Sequence, residues 1–244
     1  MDFPEQTRNV SVWRGQGDTG RFELYKVPCY DNQTVLDVVS HIQHYIDPGL
    51  SYRFACRVGM CGSCAMMVNG EPRWTCRTHV NKVAHRDVLE IAPLRNLPVI
   101  KDLATNMDPF FDKWVQAEAV HHPSASRLEE IEPVNPQDTQ RKVADAGIEC
   151  INCAVCYAAC DTVAGNQDYL GPAALQRAWT LFNDARDDGK LAILEAVSGS
   201  GGCHNCHSQG GCSHYCPNEL NPMQAIAGLK QATSRALLKG KFQC

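Results

Sequence analysis

Eleven of the fourteen cysteines in this 244-residue chain are gathered into three runs, and the spacing within each run limits what the chain can fold around. The first run is Cys56, Cys61, Cys64 and, after a gap, Cys76. This is the C-x4-C-x2-C…C comb of a plant-type [2Fe-2S] site. Three thiolates on one short loop can surround a cluster only where the backbone turns tightly. Gly59 and Gly62 tolerate positive φ there and let amide N–H groups approach sulfur. The fourth ligand is expected from a second strand, because Asn69-Gly70 reads as a hairpin turn between Ala65–Val68 and Arg73–Cys76. A zinc site prefers two separated Cys pairs, and the unequal spacing argues against it.

The second run, Cys150, Cys153, Cys156 and Cys160, has the C-x2-C-x2-C-x3-C spacing of bacterial ferredoxins. In that comb the fourth Cys ligates the other cluster of a pair, so a partner run is required. Cys206, Cys212 and Cys216, followed by Pro217, repeat the comb with its middle tooth missing: Gln209 stands where a cysteine is expected. Exchanging the fourth ligands gives Cys150, Cys153, Cys156 and Cys216 for a [4Fe-4S] cluster. Cys160, Cys206 and Cys212 are left, three thiolates that suit a [3Fe-4S] cluster. Cys203 offers an alternative fourth thiolate that would rebuild a cubane, although it lies outside the comb's register. Of the remaining cysteines, Cys29 is expected to pack as a small hydrophobe at a strand end and Cys244 to be mobile at the terminus.

Three cluster sets in this order resemble the iron-sulfur subunit of succinate dehydrogenase and fumarate reductase, the respiratory complex II family. The resemblance runs through the loop Cys56–Cys64, the stretch Cys150–Cys160, the helix start Leu170-Gly-Pro-Ala-Ala-Leu175, and Cys206 through Cys216-Pro217 to Asn221-Pro222 and Lys230. It implies an α+β chain. A β-grasp [2Fe-2S] ferredoxin domain at 1–105 precedes an all-α, two-cluster ferredoxin domain at 106–244 carrying [4Fe-4S] and [3Fe-4S]. It further implies a flavoprotein partner interconverting succinate and fumarate on FAD, and membrane anchor subunits with quinone and, in some members, haem b. The chain would then lie peripherally on the cytoplasmic or mitochondrial matrix face of an energy-transducing membrane. By the same resemblance, His207 and Lys230 lie in the quinone vicinity. The chain departs from the family in two places. Asp161 stands where Pro usually follows the fourth Cys, and Thr162–Gly165 lacks the Trp that helps form the quinone pocket in succinate-oxidising members. An iron-sulfur subunit of another flavin dehydrogenase is the second reading, disfavoured by the plant-type domain in front and by Gln209. A zinc-organised binding module is the third.

Composition fits a subunit of an assembly. No run of eighteen apolar residues is present. Met1–Glu5 begins no positively charged, apolar signal sequence. The net charge of −4 has interspersed signs and leaves no footprint for nucleic acid. Free thiols and clusters suit a reducing compartment, so the even cysteine count is no disulfide framework.

Alternation predicts strands at Val10–Trp13 and Phe22–Val27, with a closing strand at Asp87–Ala92. A helix through Val35–Ile46 follows a cap at Asn32 or Thr34. Helices are predicted near 106–118, 138–148, 172–187, 189–198 and 221–238, with the cluster ligands on the turns between them. His121–Gln137 reads as a surface connection. Trp74, Trp114 and Trp179 are expected to pack. His204 and His214 flank the third run as surface groups or as partners of a ligand.

Overall fold

The computed structural model describes residues 6–84, 88–124, 129–130 and 133–241. Met1–Glu5, Asp87, Cys244 and parts of the 121–137 connection lie outside them. The backbone divides into two compact units, Met1–Met107 with Ile151–Ala159, and Asp108–Cys150 with Cys160–Cys244.

The first unit is built on a mixed five-stranded sheet. Strands β1 (Thr7–Gln16) and β2 (Thr19–Pro28) form an antiparallel hairpin. Helix α1 (Val35–His41) then crosses the sheet, and the hairpin β3 (Ala65–Val68) and β4 (Glu71–Trp74) turns at Asn69-Gly70. One helical turn, α2 (Val80–Val83), leads to β5 (Val88–Ala92), which pairs parallel with β1 and antiparallel with β3. The order β2-β1-β5-β3-β4 with α1 across it is the β-grasp arrangement. A two-stranded ribbon, β6 (Val99–Lys101) and β7 (Ala104–Thr105), completes the unit.

Alternation explains the sheet's inner face. Val10 and Val12, Tyr25 and Val27, and Leu89 and Ile91 all point into one core with Val35, Val38, Val39 and Ile42. Burying each such aliphatic side chain contributes roughly 1.5–3 kcal/mol. Thr34 caps α1 through a capping box: its hydroxyl accepts from Asp37 N at 3.2 Å, and Asp37 accepts from Thr34 N at 3.0 Å. The predicted helix to Ile46 ends in a wider π turn over Ile42–Ile46, where Asp47 N donates to Ile42 O at 2.7 Å. Asp47 pairs there with Arg14, and Arg14 Nε is 3.0 Å from Asp102. Burial alone would lower the Arg14 pKa, but its bonds to Asp47, Asp102 and Tyr25 carry it above the ordinary value.

The second unit is helical. It contains α3 (Asp108–Gln116), α4 (Thr139–Ile148), the single turn α6 (Asp161–Gly165), α7 (Gly171–Asn183), α8 (Lys190–Ser198), the single turn α9 (Gly211–His214) and α10 (Pro222–Leu238). The single turn α5 (Val155–Ala158) belongs to the first unit. Helix α7 packs against α3, α4, α8 and α10, burying Leu175, Ala178 and Leu181 with Ile193, Ile226 and Leu229. Asp138 caps α4, and Asn221 followed by Pro222 starts α10, accepting from Gln224 N at 3.0 Å. The expected helix 172–187 stops at Asn183 because Asp184 turns extended. Its carboxylate accepts from Arg186 N and Nε, each at 3.0 Å, and so ties the exit. Among the described residues no helix is long and apolar enough to cross a membrane.

Candidate metal centres

The [2Fe-2S] loop is shaped by left-handed backbone at Arg57, Gly59 and Gly62, with φ of 58°, 77° and 69°. The turns aim amides at sulfur. Val58 N and Met60 N donate to Cys56 Sγ at 3.4 and 3.2 Å, and Cys56 N donates to Cys61 Sγ at 3.5 Å. Cys76 arrives from the residue after β4, where its N donates to Cys64 Sγ at 3.5 Å. Helix α1 backs the site: Leu36 packs with Cys64 and Cys76, and its N donates to Thr75 O at 3.2 Å. The Ser63 hydroxyl and nearby amides pull the Cys61 thiol down to about 6, while burial beside Cys64 pushes Cys76 up to about 11. Four thiols ringed by N–H donors suit an anionic iron-sulfide core.

Gly62 does a second thing. A Cβ there would meet Cys153 Cα and Cβ and Ile151 O, each at 2.8 Å. Within the first unit the loop therefore lies backbone-to-backbone against Ile151 and Cys153.

The two ferredoxin combs repeat in conformation as well as spacing. In the second run Asn152 and Ala154 are left-handed, with φ of 58° and 60°, and the turn α5 follows. In the third run Ser208 and Gly210 are left-handed, with φ of 57° and 85°, and the turn α9 follows. Both pairs stand two and four residues after the first cysteine of their comb, Cys150 and Cys206. Gln209 thus occupies the place of Cys153, and Cys212 that of Cys156. The expectation that all these ligands sit on turns needs correcting for Cys156 and Cys212, which lie within α5 and α9: a left-handed residue reverses the chain so sharply that one helical turn can begin at once.

Around the three-thiol set the structure adds Tyr169, which no reading of the sequence singled out. It is 1 % exposed, and the thiols of Cys206, Cys160 and Cys212 are the groups that act on its hydroxyl. Burial first, then those thiols, push its pKa well above the ordinary value, so the phenol stays protonated. Burial also pushes Cys212 up to about 11, and it too feels Cys160 and Cys206. Ser208 N donates to Cys206 Sγ at 3.4 Å. Within the same unit Asn218 Nδ2 donates to Glu149 O at 2.5 Å, tying the stretch beside Cys216 to that beside Cys150. Cys153 and Cys156 are described with the first unit. Among the described residues no three His, Cys, Asp or Glu side chains converge on a point for a single metal ion.

Cys203 is fully buried, its Sγ 3.9 Å from Thr233 Oγ1, and burial raises its pKa. His204 Nε2 lies 3.0 Å from the same hydroxyl. Lys230 is half-buried rather than on a solvated face, donating to Cys206 O at 2.7 Å. His207 is exposed beside Cys206, and His214 stacks edge-on against Tyr215. Cys29 is half-buried just past β2. Tyr169 had one available signal: it directly precedes the Leu170-Gly171-Pro172 helix start.

Comparison with known proteins finds two cluster-binding domains in the chain. A 2Fe-2S iron-sulfur cluster binding domain matches residues 9–112, and a 4Fe-4S dicluster domain matches residues 149–221. The fumarate reductase iron-sulfur subunit of Haemophilus influenzae is 35% identical over 232 residues, covering 89% of this chain and 90% of the relative. The succinate dehydrogenase iron-sulfur subunit of Paracoccus denitrificans is 33% identical over 240 residues, covering 93% and 89%. Among solved structures, a chain of the Mycobacterium smegmatis Sdh1 complex in the apo form shares the fold with a TM-score of 0.84 at 24% identity, covering 94% of this chain and 96% of that one. The chain belongs to the family of iron-sulfur subunits of fumarate reductase and succinate dehydrogenase, the electron-transferring part of an oxidoreductase complex.

Proposed function

We propose that this chain passes single electrons between FAD on a partner flavoprotein and quinone at a membrane anchor, as a subunit of a succinate:quinone oxidoreductase or quinol:fumarate reductase. The observation that carries this is the repeated comb with Gln209 at the position that Cys153 holds in the other comb, following the [2Fe-2S] loop in sequence. When bound, the clusters supply one-electron chemistry between two-electron partners. Cys56, Cys61, Cys64 and Cys76 would hold [2Fe-2S]. Cys150, Cys153, Cys156 and Cys216 would hold [4Fe-4S], and Cys160, Cys206 and Cys212 would hold [3Fe-4S]. Cys203, packed against Thr233 on α10, is left out of this set.

The chain's own residues carry no acid-base step on the substrate in this reading. They fix the sulfurs, aim amides at them and set the potentials. His207, exposed beside a three-iron ligand, and Lys230, on Cys206 O, are the residues assigned to the quinone vicinity. Partner subunits would hold FAD, quinone and possible haem b, and the anchor would keep this chain on the cytoplasmic or matrix face.

Anaerobic purification of the native complex tests the reading. Acid-labile sulfide must accompany the iron, and electron paramagnetic resonance must show a three-iron signal in the oxidised protein. Assays of succinate oxidation and fumarate reduction then give the physiological direction. Absence of acid-labile sulfide would reject the reading outright, and a cubane signal in place of the three-iron one would return Cys203 to the ligand set.

A further inference from the structure

The chain leaves β5 through Leu94-Arg95-Asn96-Leu97 and turns sharply there. Leu94 and Leu97 are buried, and Asn96 between them is left-handed, with φ of 66°. Held by these two leucines, the successive side chains of Arg95 and Asn96 reach one stretch of the same unit, Ile151–Ala159. Arg95 Nε and Nη2 donate to Ala158 O at 3.2 and 3.1 Å, and Asn96 Nδ2 donates to Tyr157 O at 2.9 Å. A guanidinium fork on one carbonyl and an amide on the carbonyl before it thus grip the end of α5.

A helix of one turn needs such help. The last carbonyls of a helix are left over by its own ladder, and α5 is only Val155–Ala158. Its internal ties are few: Ala158 N donates to Ala154 O at 2.9 Å, and Ala159 N to Val155 O at 3.0 Å. A turn this short does not persist on propensity alone, whereas a charged donor makes one of the stronger hydrogen bonds a carbonyl can accept. Cys156 sits inside this turn, next to Tyr157. At the other end of the stretch, the close approach of Gly62 to Ile151 O and Cys153 fixes the backbone. The segment carrying Cys153 and Cys156 is therefore fastened to the β-grasp unit at both ends.

We propose that Arg95 and Asn96 are positioning residues for the electron hand-off, latching the α5 turn so that Cys153 and Cys156 keep a fixed separation from the [2Fe-2S] loop. This rests on the reading above that these two thiols hold the [4Fe-4S] cluster. The two residues act through the carbonyls of Tyr157 and Ala158. No bond forms or breaks and no proton moves; a single electron crosses a gap whose width the latch sets.

Arg95→Met removes the fork and keeps most of the stem, and Asn96→Gly removes the amide while suiting the same left-handed backbone. In the assembled complex carrying both substitutions, amide hydrogen exchange at Ala158 and Ala159 should quicken roughly tenfold. The spin-spin relaxation that the reduced [2Fe-2S] cluster experiences from its neighbour should weaken, with iron and acid-labile sulfide at wild-type content. Arg95→Lys alone, which keeps a charged donor for Ala158 O, should fall between wild type and Arg95→Met in both readings. Relaxation identical to wild type in the fully loaded double variant would overturn the positioning role even where exchange quickens, since the bonds would then only tie the turn. Should the double variant fail to load its clusters, Asn96→Gly alone decides by the same two readings. A wild-type complex without any [4Fe-4S] signal would instead strike the ligand reading of Cys153 and Cys156, an outcome visible before any variant is made.

Discussion

Gln209 occupies, in backbone conformation as well as in count, the place that Cys153 holds in the other comb: each lies between two left-handed residues, Ser208 and Gly210 in one case, Asn152 and Ala154 in the other. A neutral amide is a poor ligand for a cluster iron, so in the proposed ligand set the position would leave one corner of a cubane unfilled. Gln209→Cys supplies the missing thiolate on a backbone already shaped for it. The oxidised three-iron signal should be replaced by a cubane of lower potential, with slower quinone reduction; an unchanged three-iron signal would reject the ligand assignment. A second single residue sets a pH limit. Asp184 is buried, and hydrogen bonds from Arg186 hold its carboxyl down to about 2, against 3.8 when unperturbed. A carboxyl depressed on folding stabilises the native state above its unfolded value and loses that contribution as pH falls through the folded one. Wild type should therefore exceed Asp184→Asn in urea midpoint, followed by helical circular dichroism, at pH 5–7. The gap should close between about pH 4 and 2, and a gap independent of pH would refute the linkage.

Elements show why parts of this molecule are readable from sequence and parts are not. The Asn69-Gly70 hairpin, the Thr34 cap and the five long helices follow local rules, because turn chemistry, capping oxygens and apolar periodicity act within a few residues. The 2Fe-2S domain was equally legible, since the family's cysteine spacing is local to one loop. Less legible were features set by distant partners. The stop of α7 depends on Asp184 finding Arg186, and the one-turn helices α5 and α9 are too short for periodicity to register. Tyr169 is buried by ties at a distance, through Asn166 and through Leu170 to Gly201, that no local pattern signals. Gly62 is intermediate: its tight turn was predictable, its contact with Cys153 was not. A methyl group there faces both a φ of 69° and backbone atoms at 2.8 Å, so the loop must back away from Cys153. Gly62→Ala should weaken the spin-spin relaxation that the reduced [2Fe-2S] cluster experiences from its neighbour and slow electron entry into the second unit. Relaxation identical to wild type in a fully loaded variant would mean that the contact does not set the hand-off.

At the scale of the whole molecule, the two units differ in what holds them together. The first has a core independent of any metal: Val10, Val12, Val35, Val39, Ile42, Leu89 and Ile91 are all essentially without solvent exposure, and α1 closes the sheet through its own cap. The second buries Leu175, Ile193 and Leu229 between helices, but the chain from α8 to α10 runs through a loop of glycines and cysteines whose only regular pieces are a short 3₁₀ segment and α9. Loops of this kind carry polar backbone that must be satisfied, and the sulfur acceptors for amides such as Ser208 N are those of the three-thiol set. Cys160 precedes α7 while Cys206 and Cys212 follow α8, so the set closes only when α7 and α8 have packed and the chain has returned. On the proposed ligand sets, iron-sulfide binding free energy would be part of the folding free energy of the second unit and much less of the first. Removing the clusters by anaerobic chelation should consequently leave amide hydrogen exchange in β1, β3 and β5 slow, while exchange across residues 199–221 and the start of α10 becomes fast. If both units lost protection together, the sheet's core would not be self-sufficient and the argument from Val10 to Ile91 would fail. If neither did, the helical packing around Leu175 would be holding the loop without its metal.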